Sequence, residues 1–104
     1  MNNENFKYGL SLKTINKLIA VFESFTEIEK VVIFGSRVLC NYREGSDIDF
    51  AINGNLNFDL ILKLNRAIDK QNLPYKIDLL DYVKIKNPDL VESIDKFGEV
   101  FYQR

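Results

Sequence analysis

Two apolar runs, each punctuated by small or acidic residues, restrict this chain more than any other feature. Val31-Val32-Ile33-Phe34 has the β-branched and aromatic character of a strand, and it stops abruptly at Gly35-Ser36. Ten residues follow Ser36 (Arg37 to Ser46, 46 − 36 = 10) before a second strand-like run opens at Asp47 and continues to Ile52. Side chains alternate across a strand, so Ile48, Phe50 and Ile52 share one face while Asp47, Asp49 and Ala51 share the other. The apolar face requires burial. Asp47 and Asp49 then lie close together on the opposite face, like charges with no lysine or arginine between them. Such a pair repels, and a cation resolves the repulsion. Oxygen-only donors of this kind suit Mg²⁺ or Mn²⁺.

A third carboxylate fits the same arrangement. Tyr75 to Leu80 reads as a further short strand with Asp78 on the face opposite Ile77 and Leu79. If it neighbours the Asp47–Ile52 strand, Asp47, Asp49 and Asp78 come together, and three such acids can hold divalent ions that clamp a triphosphate. Gly35, lacking a Cβ, allows close approach of a phosphate. Ser36 offers a hydroxyl and a backbone N–H, with an anion-binding N-terminus if it opens a short helix over Ser36 to about Asn41. Arg37 has two readings: a phosphate contact, or a surface cation paired with Glu44 or Asp47. Lys76 shares the Asp78 face and either neutralises the acids or meets phosphate. Asp81 has the opposite parity, which makes it solvent-facing or structural. Cys40 reads as a packing residue, Tyr75, Tyr82 and Tyr102 as sheet or surface aromatics, and Lys84 and Lys86 as a solvated loop.

Around this centre the chain alternates helix and strand. Leu12, Ile15, Leu18, Ile19 and Phe22 recur at helical spacing behind a Ser11 N-cap, predicting a helix to about Phe25. Glu29 to Phe34 is the first strand, and Asn53-Gly54 ends the second. Phe58, Ile61, Leu62, Asn65 and Ile68 mark a helix from about Leu56 to Gln71. Asn87-Pro88-Asp89 supplies cap, first-turn proline and acid for a third helix, which Gly98 closes as a C′ residue; Glu99 to Gln103 adds a short strand or simply packs. No linker or repeat divides residues 1–104, so we expect one α/β domain, a mixed sheet flanked by helices.

Composition removes several function classes. There is no histidine, which excludes Ser-His and Cys-His hydrolases and most zinc sites. A single cysteine excludes an internal disulfide and suits a cytoplasmic setting. Net charge is −1, without the clustered lysine and arginine of a nucleic-acid footprint. The polar Met1–Asn5 start is followed by no apolar run of signal or membrane length. An EF-hand reading of Asp47-Ile48-Asp49 fails, because Ala51 stands at the fifth position and no glycine at the sixth.

The combination Gly35-Ser36, ten residues, Asp47-Ile48-Asp49 and a later Asp78 resembles the DNA polymerase beta-like nucleotidyltransferase superfamily, and within it the minimal nucleotidyltransferases (MNT). The likeness runs from about Leu12 to Tyr102. The family often continues Gly-Ser-Arg with a basic, glycine-containing stretch, whereas this chain has Val38-Leu39-Cys40. The resemblance implies a small polymerase beta-like fold, metal ligands and catalytic acids at Asp47, Asp49 and Asp78, and NTP contacts at Gly35, Ser36 and Arg37. It also implies Mg²⁺ as cofactor and an NTP, ATP by expectation, as substrate. Minimal nucleotidyltransferases are commonly encoded beside a helical HEPN toxin and act as its antitoxin, some by transferring AMP to a tyrosine of the toxin. Two functions follow as expectations: an AMP-transferring antitoxin, or a catalytically weak nucleotide-binding subunit that restrains a helical partner, in a homo- or hetero-oligomer.

Overall fold

The structure, a computed structural model, describes residues 7–43 and 45–104. Helix α1 spans Leu12–Glu23 and starts where Ser11, in extended conformation, accepts the Thr14 N–H on its hydroxyl at 3.2 Å. Helix α2, Phe58–Asp69, is capped in the same way by Asn57, whose Oδ1 accepts from the Leu60 N–H at 2.8 Å. Helix α3, Pro88–Phe97, has Asn87 accepting from Asp89 and Leu90 and proline in its first turn. The strands are β1 (Ile28–Phe34), β2 (Ile48–Gly54), β3 (Ile77–Asp81) and β4 (Glu99–Gln103), with a single 3₁₀ turn, Tyr82–Lys84, after β3. The sheet order is β3-β2-β1-β4; β1 pairs antiparallel with β2 and β4, and β2 pairs parallel with β3 across the α2 crossover. This is the mixed α/β sheet that the alternating pattern predicts. Among the described residues no helix is long and apolar enough to cross a membrane.

Each sheet face has its own packing. On one, Val31, Ile33, Ile48, Phe50, Ile52 and Phe101 meet Leu18, Phe22, Leu64 and Ile68 from α1 and α2. Phe50 lies at the centre, edge-on to Phe22 with ring centroids 5.2 Å apart and 4.8 Å from Phe101. On the other, Ile94 of α3 covers Phe34 and Ala51, with Leu80 and Leu90 beside them. Asp49 and Asp78 lie on this face too, at its Gly35 end.

Four local expectations need correction. The short helix over Ser36–Asn41 is instead a compact turn: the Val38 and Leu39 N–H groups both donate to the Gly35 carbonyl, and the Asn41 N–H donates to that of Ser36. Cys40 at φ 61° takes the left-handed conformation and prevents helical continuation. Helices α1 and α2 are each shorter than their apolar spacing suggests, and β3 begins at Ile77 rather than Tyr75. Gly98 does not adopt a left-handed cap; its φ is −63°. It is required sterically, since a Cβ there would sit 2.5 Å from the Ile94 carbonyl oxygen and 2.6 Å from Val32 Cγ1.

Candidate active site

Strand pairing assembles the acids. In the β1–β2 register Phe34 stands opposite Asp49, and in the parallel β2–β3 register Asp49 stands opposite Asp78. Gly35 therefore emerges from β1 directly beside Asp49, and Asp78 flanks it from the other strand. Asp47 lies one residue before β2 rather than within it, exposed on the approach to the strand. Along this face exposure falls steadily, from Asp47 at the rim through half-buried Asp49 to Ala51, fully buried beneath α3.

Gly35 has a second reason to be glycine. Its φ is +85°, and a Cβ there would come within 2.6 Å of Asp49 Oδ2. The open space beside the turn is thus already occupied by a carboxylate. Burial, more than anything else, holds the Asp49 carboxyl above its ordinary value; the charges of Asp78 and Asp47 and a hydrogen bond to Asp78 act in the same direction, and Lys76 opposes them. Lys76 Nζ is 4.0 Å from Asp78 Oδ1, but both side chains are well exposed, so this pair offsets little of the repulsion.

These residues fit a hard divalent cation. They are anionic, oxygen-only and mutually repelling. Among the described residues no three such side chains converge into a ready-made cage.

Ser36 is half-buried in the turn, and with only one turn of chain behind it no helix dipole contributes; its own hydroxyl and amide remain. Arg37 is placed quite differently from either reading. It is 2% exposed, donates from Nε and Nη2 to the Ser46 carbonyl at 3.2 and 2.8 Å, and from Nη1 to the Tyr8 carbonyl at 2.8 Å. Its guanidinium lies 5.1 Å from the Tyr42 ring centre and 4.8 Å from that of Tyr75. No ion pair with Asp47 forms, and Glu44, the other expected partner, lies outside the described residues. Nothing in the spacing of Tyr8, Tyr42, Ser46 and Tyr75 announces this cluster. Asp81 is structural rather than solvent-facing: its side chain is 12% exposed, 4.0 Å from Lys84, with Oδ1 buried and lacking a hydrogen-bond partner.

The sequence profile of the family described as "Polymerase beta, Nucleotidyltransferase" matches residues 16–104, most of the chain and all of the site. The chain belongs to this family. As a polymerase beta-type nucleotidyltransferase it is similar in fold to several solved structures. One, described as a toxin-antitoxin with AMP-PNP, superposes with a TM-score of 0.70 at 19% identity over 86% of this chain and 73% of that one. Another, a tri-AMPylated Shewanella oneidensis HEPN toxin in complex with MNT antitoxin, gives 0.64 at 18% identity, covering 88% and 71%. A candidate nucleotidyltransferase from Sulfolobus solfataricus gives 0.56 at 26% identity, covering 99% and 94%. No curated protein matches the sequence at a significant level.

Proposed function

We propose that this nucleotidyltransferase moves AMP from ATP to a hydroxyl on a helical HEPN-type partner, and so acts as the antitoxin of a cytoplasmic pair. One observation carries the reading: strand register puts Asp49 between Gly35 and Asp78 in a chain of this family. The AMP-PNP complex and the AMPylated toxin among its structural likenesses support the choice of nucleotide and acceptor.

Asp47, Asp49 and Asp78 would hold Mg²⁺, or Mn²⁺ in its place. When bound, the metal would neutralise triphosphate charge and lower the pKa of the acceptor hydroxyl. The chain's own groups supply the rest. The Ser36 hydroxyl and turn amide donate to the β- and γ-phosphates. Asp78, at the more open edge strand, accepts the acceptor's proton as its oxygen attacks the α-phosphorus. The bond from that phosphorus to the bridging oxygen breaks, and pyrophosphate leaves. Burial and the charges of Asp78 and Asp47 raise the pKa of Asp49, and a bound cation would favour its ionised form.

The test is intact-mass measurement of the neighbouring gene's product after incubation with this protein, Mg²⁺ and each NTP. The expected result is added AMP with the wild type and none with Asp49→Asn. An unmodified partner under every condition rejects the transferase reading. A binding subunit with weak catalysis is the second reading, favoured because Arg37, the cation after Gly35-Ser36, is buried on the Ser46 and Tyr8 carbonyls, and the turn continues with core-packed Val38 and half-exposed Leu39. It predicts a stable complex and a nucleotide-dependent melting shift without transfer.

A further inference from the structure

Arg37 is the one charged residue among those described that is fully buried, and its contacts come from three separate segments. It stands in the turn that carries Gly35 and Ser36. It grips the carbonyl of Ser46, the residue before Asp47, through two nitrogens. One face of its guanidinium meets Tyr75, three residues before Asp78 along the lead into β3. The other aromatic neighbour, Tyr42, comes from the loop between the turn and Ser46. Nη1 reaches Tyr8, in the tight Lys7–Leu10 turn, which Leu10 anchors in the core at 0% exposure.

A guanidinium can do this where an ammonium cannot, because it is planar, forks to a single acceptor and stacks on aromatic faces. Burying it with carbonyl and ring partners is costly to undo, since a changed side chain would leave the Ser46 and Tyr8 oxygens without their donors.

We infer that Arg37 is a positioning residue: it donates to the Ser46 carbonyl while its guanidinium packs against Tyr42 and Tyr75, holding the lead-ins to Asp47 and Asp78 in fixed relation to the Gly35-Ser36 turn. It acts on the acids through the backbone and touches no phosphate. The inference rests on the acids forming the metal site proposed above, and it adds a residue through which all three approaches are tied together.

Mn²⁺ binding to the nucleotide-free protein, followed by the loss of free-ion EPR signal, tests it. Arg37→Lys keeps the charge but loses the fork and the stacking. It should weaken Mn²⁺ roughly 10- to 100-fold, the usual effect of removing a group that orients metal ligands, and weaken ATP and AMP by a common factor. Tyr75→Leu should weaken Mn²⁺ as well, while Tyr75→Phe, which keeps the ring, should restore wild-type binding. Unchanged Mn²⁺ affinity in Arg37→Lys, or selective loss of ATP over AMP, overturns the inference and returns Arg37 to a phosphate contact. If Arg37→Lys does not fold, the Tyr75 pair decides in the same terms. If the wild type binds no Mn²⁺, the metal-site reading itself fails. Amide exchange then decides the clasp: faster exchange of the Asp47–Asp49 amides in Tyr75→Leu but not Tyr75→Phe supports it, and equal exchange rejects it.

Discussion

The two faces of β2 behave in opposite ways although they share one backbone. Ile48, Phe50 and Ile52 are all fully buried, and Phe50 is enclosed by rings from α1 and β4. The other face grades from exposed Asp47 through half-buried Asp49 to buried Ala51. The first face stabilises the fold by removing apolar area from water. The second tolerates repulsion between Asp49, Asp78 and Asp47 that the apo protein would be better without. The apolar face is satisfied internally, whereas the acidic face keeps a repulsion that the well-exposed Lys76–Asp78 pair does little to offset.

The largest expected effect attacks the apolar side. Phe50→Ala should destabilise the protein by about 3–5 kcal/mol, read as a lower urea midpoint, which is a large share of the stability of a small domain. A loss below about 1 kcal/mol would mean that the ring cluster is not the centre of the core.

The next breaks the acidic side without harming the fold. With Mg²⁺ and ATP at a hundredfold excess over the dissociation constant, the wild type should gain about 2.7 kcal/mol by mass action. Asp47→Asn combined with Asp49→Asn should abolish that gain while leaving the metal-free protein equally or more stable in a thermal melt. A full ligand-dependent shift in the double variant would move the site elsewhere.

Gly35→Ala tests the junction of the two faces. The left-handed φ alone should cost about 1–2 kcal/mol, and the new methyl must displace the Asp49 carboxylate. Because that carboxylate is the movable partner, the Mg²⁺–ATP shift should suffer more than the basal melting temperature does. Equal losses in both would indicate simple backbone strain.

The smallest effect is in pH. The folded-state pKa of Asp49 lies above its unfolded value, so its favourable contribution is present while it is protonated and is lost as pH rises through the folded pKa. The stability difference between Asp49→Asn and wild type should therefore be smallest in acid and should move in favour of the variant towards neutral pH. Parallel stability curves for the two proteins across that range would contradict the assigned repulsion.

Much of this architecture was readable along the chain because its signals are local. Period-two alternation identified β2 and its two faces, and Ser11 and Asn87 cap their helices through side-chain oxygens that bond two or three residues ahead. Gly35, Asp47, Asp49 and Asp78 could be singled out because glycine at a strand end and acids against strand parity are visible without a neighbour. The same local reasoning failed between Ser36 and Asn41, where hydrogen bonds back to Gly35 and Ser36 and a left-handed Cys40 close a turn instead of a helix. It also failed at Gly98, whose constraint comes from the Ile94 carbonyl together with Val32 on another element.

The residue pattern of this protein therefore settles which side chains are available for chemistry and which face each strand must bury, since both follow from spacing and polarity along a few residues. Whether the acids meet was decided by the parallel pairing of β2 with β3, which aligns Asp49 with Asp78 across a stretch of chain that contains all of α2. The placement of Arg37 was likewise decided in three dimensions. Spacing reports that a cation follows Gly-Ser, but only the packed molecule determines that carbonyls from Tyr8 and Ser46 and rings from Tyr42 and Tyr75 converge on it. Those partners come from separate segments, and no periodicity encodes contacts that exist only once the core has closed.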